Sequence, residues 1–184
     1  MIAMHPQDTA SLGYSLLELL VAIAVLVAIA GLAVPNFRIL IATHERQLLA
    51  DELSSSLRAA RMEAINRNRT VIVQAMEEDW AKGWRIIVDE TGKGSADSNN
   101  PTLVIRRGNA RIQAVATKNM QAQVAFNYLG IPRSSSHAAL NGSIHFCDPK
   151  GSDRHRRVVL ARSGRVRVAT SPPPTPLCPA TPTS

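Results

Sequence analysis

Residues 13–37 read GYSLLELLVAIAVLVAIAGLAVPNF. The segment places one carboxylate, Glu18, directly before an unbroken apolar run from Leu19 to Val34. Such a run predicts a helix of membrane length. A lone ionised carboxylate within hydrocarbon costs roughly 2.5–3.5 kcal/mol, so Glu18 is expected to have a partner. The segment therefore predicts a helix that anchors the chain and then packs against copies of itself.

The stretch from Gly13 to Glu18, followed by the apolar run, resembles the class III signal of type IV prepilins and type II secretion pseudopilins. The resemblance implies that a prepilin peptidase cleaves after Gly13 and that the new terminus, Tyr14, is methylated. It also implies that Glu18 neutralises the amino terminus of a neighbouring subunit, since a buried carboxylate requires a cation. Tyr14 replaces the usual Phe, and residues 1–13 lack the usual Lys or Arg, which leaves Met4 as an alternative start.

Two other interpretations of this segment are open. A secretory signal peptide could use Ala28–Ala30 as its cleavage site, but it needs a basic region that the chain lacks. A plain single-pass anchor explains the length but neither Gly13 nor Glu18. We therefore favour the prepilin interpretation, which implies an inner-membrane protein with a periplasmic domain that becomes extracellular when the pilus assembles.

The sequence after Phe37 predicts an α+β domain. Apolar residues recur at helical spacing up to about Asn66, at Leu49, Leu53, Leu57, Ala60 and Ala64. Six β-branched runs follow, at residues 70–74, 84–88, 102–105, 123–128, 143–147 and 157–160. The prediction is a type IV pilin-like fold, in which the amphipathic half of one long N-terminal helix packs on antiparallel β-sheet.

The domain organisation follows from these segments. We expect a leader at 1–13, a transmembrane and assembly helix at 14–37, a globular domain at 38–170 and a proline-rich tail at 171–184. Cys147 and Cys178 suit one disulfide in an oxidising periplasm, with two free thiols as the alternative. Trp80 and Trp84 are expected to be packing residues.

Charge is distributed unevenly along the chain. Residues 1–100 contain 9 basic and 12 acidic side chains, whereas residues 101–184 contain 12 basic and 2 acidic ones, a net charge of +10. Such asymmetry favours a polyanion or an acidic surface as partner. Solubility alone is the alternative explanation, which an excess of ten charges in 84 residues disfavours without excluding it.

Two further segments indicate which group of pilin-like proteins the chain resembles. Residues 57–68, LRAARMEAINRN, resemble the helix end of the FimT/GspH group, and residues 158–167 resemble its final hairpin. Within that hairpin, Gly164-Arg165-Val166-Arg167 resembles the G-R-x-R motif of FimT-type minor pilins, which implies binding of double-stranded DNA during natural transformation. The resemblance also implies other pilin subunits as partners. The alternative is a GspH-like pseudopilin of a type II secretion system with a structural role only.

The chemistry of the hairpin supports an anion site. Ser163-Gly164 predicts a tight turn, and Arg165 and Arg167 are two apart, so their guanidinium groups lie on one face of a strand. Guanidinium groups suit phosphate oxygens and read no sequence in that mode, so binding is expected to be salt-sensitive and sequence-independent. Four further arginines are expected to widen the patch: Arg154, Arg156, Arg157 and Arg162. The arginines could instead serve solubility or pair with acidic groups of a neighbouring subunit.

No catalytic or metal pattern stands out in the sequence. His44, His137, His145 and His155 show no metal-ligand spacing with the cysteines, and an Asp148/Asp153 site has no support. There is also no G-x-S-x-G and no phosphate-cradling glycine loop before a helix. We therefore expect no enzyme activity, no metal and no cofactor.

Overall fold

A computed structural model describes residues 15–134, 138–148, 155–170 and 177–178, apart from the side chains of residues 32–36. The predicted leader, including Gly13 and Tyr14, lies outside these residues, as do His137, Asp153 and Arg154. Residues 1–41 form one compact unit and residues 42–184 form another. The secondary structure in chain order is α1 (Leu16–Arg67), β1 (Thr70–Met76), β2 (Asp79–Asp89), β3 (Thr102–Arg107), β4 (Gln113–Ala116), β5 (Gln123–Phe126), β6 (Pro132–Arg133), β7 (Gly142–Cys147), β8 (Arg156–Leu160) and β9 (Val166–Ala169).

The first unit contains the N-terminal part of α1. Its described side chains from Leu16 to Gly31 are all exposed, and Glu18 lies in the first helical turn. Among the residues that the structure describes, no helix combines the length and apolarity needed to cross a membrane. The membrane segment and the assembly role of Glu18 stay predictions.

In the second unit, α1 supplies one face to the core. The predicted residues Leu49, Leu53, Leu57, Ala60 and Ala64 are all buried, which confirms the amphipathic helix. They lie on one stripe because three- and four-residue steps return to the same side of a helix.

The helix ends at Arg67, shortly before the β-branched residues of β1 begin at Thr70. Asn68 adopts a left-handed conformation with φ 53°, and the Arg69 amide donates to the Ala64 carbonyl at 3.2 Å. Asn tolerates this conformation better than most residues, so it caps the helix. The predicted end near Asn66 is confirmed to within one residue.

Two antiparallel sheets pack with the helix in the second unit. The first has the order β3-β2-β1-β5-β6 and the second β4-β7-β8-β9. A single cluster of buried apolar side chains joins both sheets to α1, with Val73, Phe126, Ile144 and Leu160 among its members. Trp80 and Trp84 are buried within it, as predicted. The unit that begins at Ala42 therefore contains a complete core of its own.

The strands match the predicted runs with four differences, one of which is that β2 begins at Asp79, five residues before the predicted run at 84–88. β4 and β6 were not predicted, because both are short and neither is a β-branched run. The run at 123–128 ends as a strand at Phe126, because Asn127 begins a turn. The predicted disulfide is confirmed: Cys147 at the end of β7 is bonded to Cys178, with their Cα atoms 5.6 Å apart.

Candidate nucleic-acid interface

The β8–β9 hairpin closes through a tight turn. The Gly164 amide donates to the Ala161 carbonyl, and the Ala161 amide donates to the Arg165 carbonyl, both at 2.9 Å. Gly164 has φ +79°, a conformation that side chains disfavour. The turn predicted at Ser163-Gly164 is therefore confirmed, and it fixes where Arg165 leaves the loop.

This turn rests on the helix and on a second turn. A Cβ added to Gly164 would lie 2.6 Å from the Gly130 carbonyl oxygen and 2.8 Å from Arg61 Nε. Arg61 Nε itself donates to the Gly130 carbonyl at 3.0 Å. The Arg61 side chain is thus held between two glycines that lie far apart in sequence. The absence of a side chain at both positions allows this approach.

A second helix arginine fixes the strand that follows. Arg58 Nη2 donates to the Val166 carbonyl at 3.1 Å. Arg58 and Arg61 belong to the helix segment that resembles the FimT/GspH group, and Val166 belongs to the hairpin motif. The two segments are therefore in direct contact. Arg58 and Arg61 therefore hold the hairpin and the adjoining turn against the helix.

Strand alternation sorts the remaining arginines by face. Val158 and Leu160 of β8 and Val166 of β9 are buried toward the core. In the paired register Val159 lies opposite Arg167, so Arg157, Val159 and Arg167 lie on the outer face of the second sheet. Arg165 and Arg167 flank buried Val166 and are both exposed, as predicted.

We call Arg157, Arg162, Arg165 and Arg167 the basic face. Three of them, Arg157, Arg162 and Arg167, line an open groove of about 470 Å³ together with Asn141, Gly142, Ser143 and the end of β8. Arg162 Nε donates to Asn141 Oδ1 at 3.3 Å. Asn141 and Ser143 were not predicted, because only the register of β7 against β8 brings them beside the arginines.

The basic face carries unused hydrogen-bond donors. Arg157 Nε is buried and has no hydrogen-bond partner. Among the described residues, Arg165 and Arg167 make no side-chain hydrogen bond, and no salt bridge involves any arginine of this face. Arg165 and Arg167 are exposed, so their guanidinium donors are the ones that an acceptor can reach.

The structure does not bring Arg156 to this surface. It lies on the core side of β8, where its Nε donates to Gln47 Oε1 of α1 and its Nη1 donates to the His155 carbonyl at 3.2 Å. Arg156 and Arg157 are adjacent in a strand and therefore point to opposite faces. Arg156 therefore does not belong to the basic face, and Arg154 lies outside the described residues.

A buried histidine lies beside Arg157 on the same outer face. His145 pairs with Arg157 in the β7–β8 register, and its Nε2 is 2.8 Å from Ser143 Oγ. Burial first, and then the positive charges of Arg157 and His155, lower the pKa of His145 to about 4. The imidazole is therefore neutral at pH 7, and arginine alone supplies the positive charge of the basic face.

Acidification is expected to destabilise the protein through His145. Below pH 6.5 the unfolded chain binds a proton at this imidazole, whereas the folded chain binds it only near pH 4. The free energy of unfolding should therefore fall as the pH drops through this window, by about 2 kcal/mol at pH 5. Urea denaturation of His145→Gln should show a smaller decrease in unfolding free energy than the wild type does as the pH falls to about 5. The exposed His44→Gln is the control, and equal losses in the two variants would refute the assignment.

A larger groove, of about 1100 Å³, lies on the other sheet. It mixes charges of both signs, with Glu78 and Asp89 beside Lys93, Lys118 and Arg133. Charges of opposite sign partly cancel in this groove, whereas those of the basic face are all positive. Within the described part of the chain, no group of three or more His, Cys, Asp or Glu side chains forms a metal-binding cluster.

Comparison with known proteins relates this architecture to the pilins. Two crystal structures of the type IV minor pilin FimU from Pseudomonas aeruginosa have a similar fold. One is 24% identical, with 67% of this chain and 91% of that chain covered and a TM-score of 0.53. The other is 25% identical, with 68% and 89% covered and a TM-score of 0.55. The fold is therefore the predicted type IV pilin fold, in which a helix packs on antiparallel sheets.

No sequence among curated proteins matches the chain. A family model, described as type II transport protein GspH, matches residues 49–164. The match begins at Leu49, the first buried apolar residue among the described side chains of the helix, and ends at Gly164 of the β8–β9 turn. Because it spans more than half of the chain, this protein belongs to the GspH family of pilin-like proteins.

Proposed function

We propose that this protein is a minor type IV pilin that binds extracellular double-stranded DNA for uptake in natural transformation. The basic face is the binding surface: Arg157, Arg162 and Arg167 line the groove, and exposed Arg165 contacts phosphates beside it. Such contacts position a duplex without reading its bases. The protein is proposed to be a FimT-type member of its family.

The observation that carries this proposal is the set of unpaired arginine donors. Arg58 and Arg61 are engaged with backbone carbonyls, whereas Arg165 and Arg167 have no partner among the described residues. Four guanidinium groups on one face repel one another unless an anion binds between them. A DNA backbone supplies closely spaced phosphates and releases its counterions on binding.

The N-terminal segment supports a pilus location. Its described apolar side chains, from Leu16 to Gly31, are exposed, and exposed apolar surface of this extent calls for a lipid or protein partner. We propose that prepilin peptidase cleaves after Gly13 and that Tyr14 is then methylated. Glu18 would pair with a neighbouring subunit, and residues 14–37 would hold the protein in the inner membrane before assembly.

A second candidate function is a structural pseudopilin of a type II secretion system. The description of the matching family favours it. In that case the basic face would contact acidic groups on another subunit, and DNA would bind only as a substitute polyanion. The two functions differ in what the arginines contact, so the same variants discriminate between them.

Replacing Arg165 and Arg167 together by glutamine should weaken duplex binding about 30-fold at physiological salt, because two phosphate contacts are lost. The slope of log K against log salt should also become shallower by about 1.8. The measurement is an electrophoretic mobility shift of residues 42–184 with linear duplex at about 50 mM and about 200 mM salt.

The matched control removes the same charge elsewhere. Arg107 ends β3 of the first sheet and Lys93 lines the groove on that sheet, and both are exposed, so Arg107→Gln with Lys93→Gln changes the net charge equally away from the basic face. The control should bind nearly as well as the wild type. If both double variants weaken duplex binding equally, net charge alone accounts for the effect. No shift of the wild type at low salt would exclude DNA binding and leave the pseudopilin function.

A further inference from the structure

Two large apolar side chains occupy an exposed turn between β5 and β6. Tyr128 and Leu129 are the central residues of the turn from Asn127 to Gly130, and their exposed fractions are 54% and 58%. Central turn positions usually hold small or polar residues. These side chains contribute little to the core, so the fold does not explain their presence.

The turn is rigid, which fixes where both side chains are presented. The Gly130 amide donates to the Asn127 carbonyl at 2.8 Å. The Asn127 side-chain oxygen accepts from the Leu129 amide at 3.2 Å and from the Ile131 amide at 2.9 Å. A preorganised apolar surface loses little conformational entropy when a partner binds.

This turn lies directly against the arginine hairpin. The Gly130 carbonyl is in contact with Gly164, and Arg61 bridges the two. Tyr128 is two residues from one side of this contact, and Arg165 is one residue from the other. The backbone segments that carry Tyr128 and Arg165 are therefore neighbours across this contact.

Two helix side chains extend the apolar surface. Ile65 is partly exposed and a Cβ on Gly130 would lie 2.7 Å from its Cδ1, so it borders the turn. Met62 is exposed one turn earlier and on the same side of α1. We call Met62, Ile65, Tyr128 and Leu129 the apolar tip.

Tyr128 is distinctive among the aromatic residues of the second unit. In the described part of that unit, Trp80, Trp84, Phe126 and Phe146 are buried, and Tyr128 alone is exposed. Every nucleobase has a π-face, and an aromatic ring beside arginines that hold phosphates is the arrangement with which proteins bind single strands. The bases of a closed duplex are stacked on each other and cannot reach the ring.

We propose that the apolar tip stacks unpaired bases, so that this protein binds single-stranded DNA and frayed duplex ends more tightly than closed duplex. The inference rests on the proposed DNA-binding function and adds a preference within it. Arg165 and Arg167 hold the phosphates of the strand. The ring of Tyr128 stacks on one base, and Met62, Ile65 and Leu129 pack against the apolar parts of the neighbouring nucleotides.

The test compares two probes that differ only in access to bases. Fluorescence anisotropy of residues 42–184 is measured with an oligothymidylate of about 15 nucleotides and with a duplex closed by hairpins at both ends. Tyr128→Ala should weaken binding of the single strand about tenfold, since stacking on an aromatic ring is worth that order. It should leave the closed duplex and the salt slope unchanged.

Three further variants make the result specific. Tyr128→Phe keeps the ring and should bind like the wild type, whereas Tyr128→Leu keeps apolar bulk and should behave like Tyr128→Ala. Ile105→Ala removes an exposed apolar side chain from β3 and should change neither affinity. Circular dichroism of each variant confirms that the fold is intact.

The contrary outcomes are distinct. If Tyr128→Ala leaves the affinity for the single strand unchanged, the stacking inference is wrong while duplex binding by the basic face stands. If light scattering shows that the wild type is a dimer and Tyr128→Ala is a monomer with unchanged DNA affinity, the tip is an interface between copies. If neither probe binds the wild type, the proposed DNA-binding function fails as well.

Discussion

The double variant Cys147→Ser, Cys178→Ser is expected to lose about 3–4 kcal/mol of unfolding free energy, because the disulfide closes a loop that the unfolded chain would otherwise open. The bridged residues are 31 apart in sequence. In the chain-entropy description a loop of this length corresponds to about 3.7 kcal/mol at 25 °C. A change of this size is a large fraction of the stability of a domain.

The bridge also joins Cys178 to β7, an interior strand of the second sheet. Cys147 ends β7 on the same face as His145, and Cys178 is buried against it. Serine at both positions leaves two buried hydroxyl groups in place of the bond, so some of the loss can come from the folded state. Serine at one position alone would leave a reactive thiol, and the double variant avoids this.

The measurement is urea denaturation of residues 42–184 followed by circular dichroism. Wild type treated with a reductant should show the same loss as the double variant, and reductant should not affect the double variant. A loss below about 1 kcal/mol in both would mean that the unfolded chain is already compact around this loop, contrary to the entropic argument.

Periodicity in the sequence predicted most of the fold. The helix from Leu49 to Ala64 follows from apolar spacing alone, and the longer strands follow from β-branched runs. The turn between β1 and β2 is a part of the fold that such patterns do not predict. Its turn residues, Glu77 and Glu78, have φ 51° and 60°, although the sequence offers neither Gly nor Asn there. Strand pairing imposes this conformation, and local propensity does not predict it.

The candidate site was predictable in part, for a physical reason. Alternation correctly places Arg165 and Arg167 on one face, because it depends only on neighbours in sequence. The prediction did not apply the same alternation to β8 and placed Arg156 in one patch with Arg157, although buried Val158 fixes the phase of β8 and puts the two arginines on opposite faces. The approach of Gly130 to Gly164 through Arg61 depends on tertiary packing between segments that are distant in sequence, so no local pattern reveals it.

The contact of Gly164 with Gly130 and Arg61 predicts a second large loss of stability, in the variant Gly164→Ala. Gly164→Ala is expected to cost about 3–4 kcal/mol of unfolding free energy, as the sum of left-handed backbone strain and overpacking. Its new Cβ would lie 2.6 Å from the Gly130 carbonyl and 2.8 Å from Arg61 Nε. The Gly130 oxygen belongs to a hydrogen-bonded turn and cannot move freely. The hairpin must therefore lift from the helix.

Gly92→Ala is the matched control for Gly164→Ala. Gly92 has φ +74°, close to the +79° of Gly164, but a Cβ at Gly92 would meet nothing within 4 Å. It should cost only about 1–2 kcal/mol, the backbone strain alone. The difference between the two variants in urea denaturation therefore measures the packing of the turn on Arg61 and Gly130. Equal losses would mean that the contact contributes nothing to stability.

The same variant tests what the glycine does in the Gly164-Arg165-Val166-Arg167 segment. It removes no charge, so a purely electrostatic surface would bind duplex DNA as the wild type does. If the arginines must be held at fixed positions, lifting the hairpin moves Arg165 and Arg167 together, and the mobility shift should weaken although both guanidinium groups remain. Unchanged DNA binding by a destabilised Gly164→Ala would show that charge alone is sufficient. Weakened binding, with Gly92→Ala unaffected, would show that Gly164 acts by positioning the arginines.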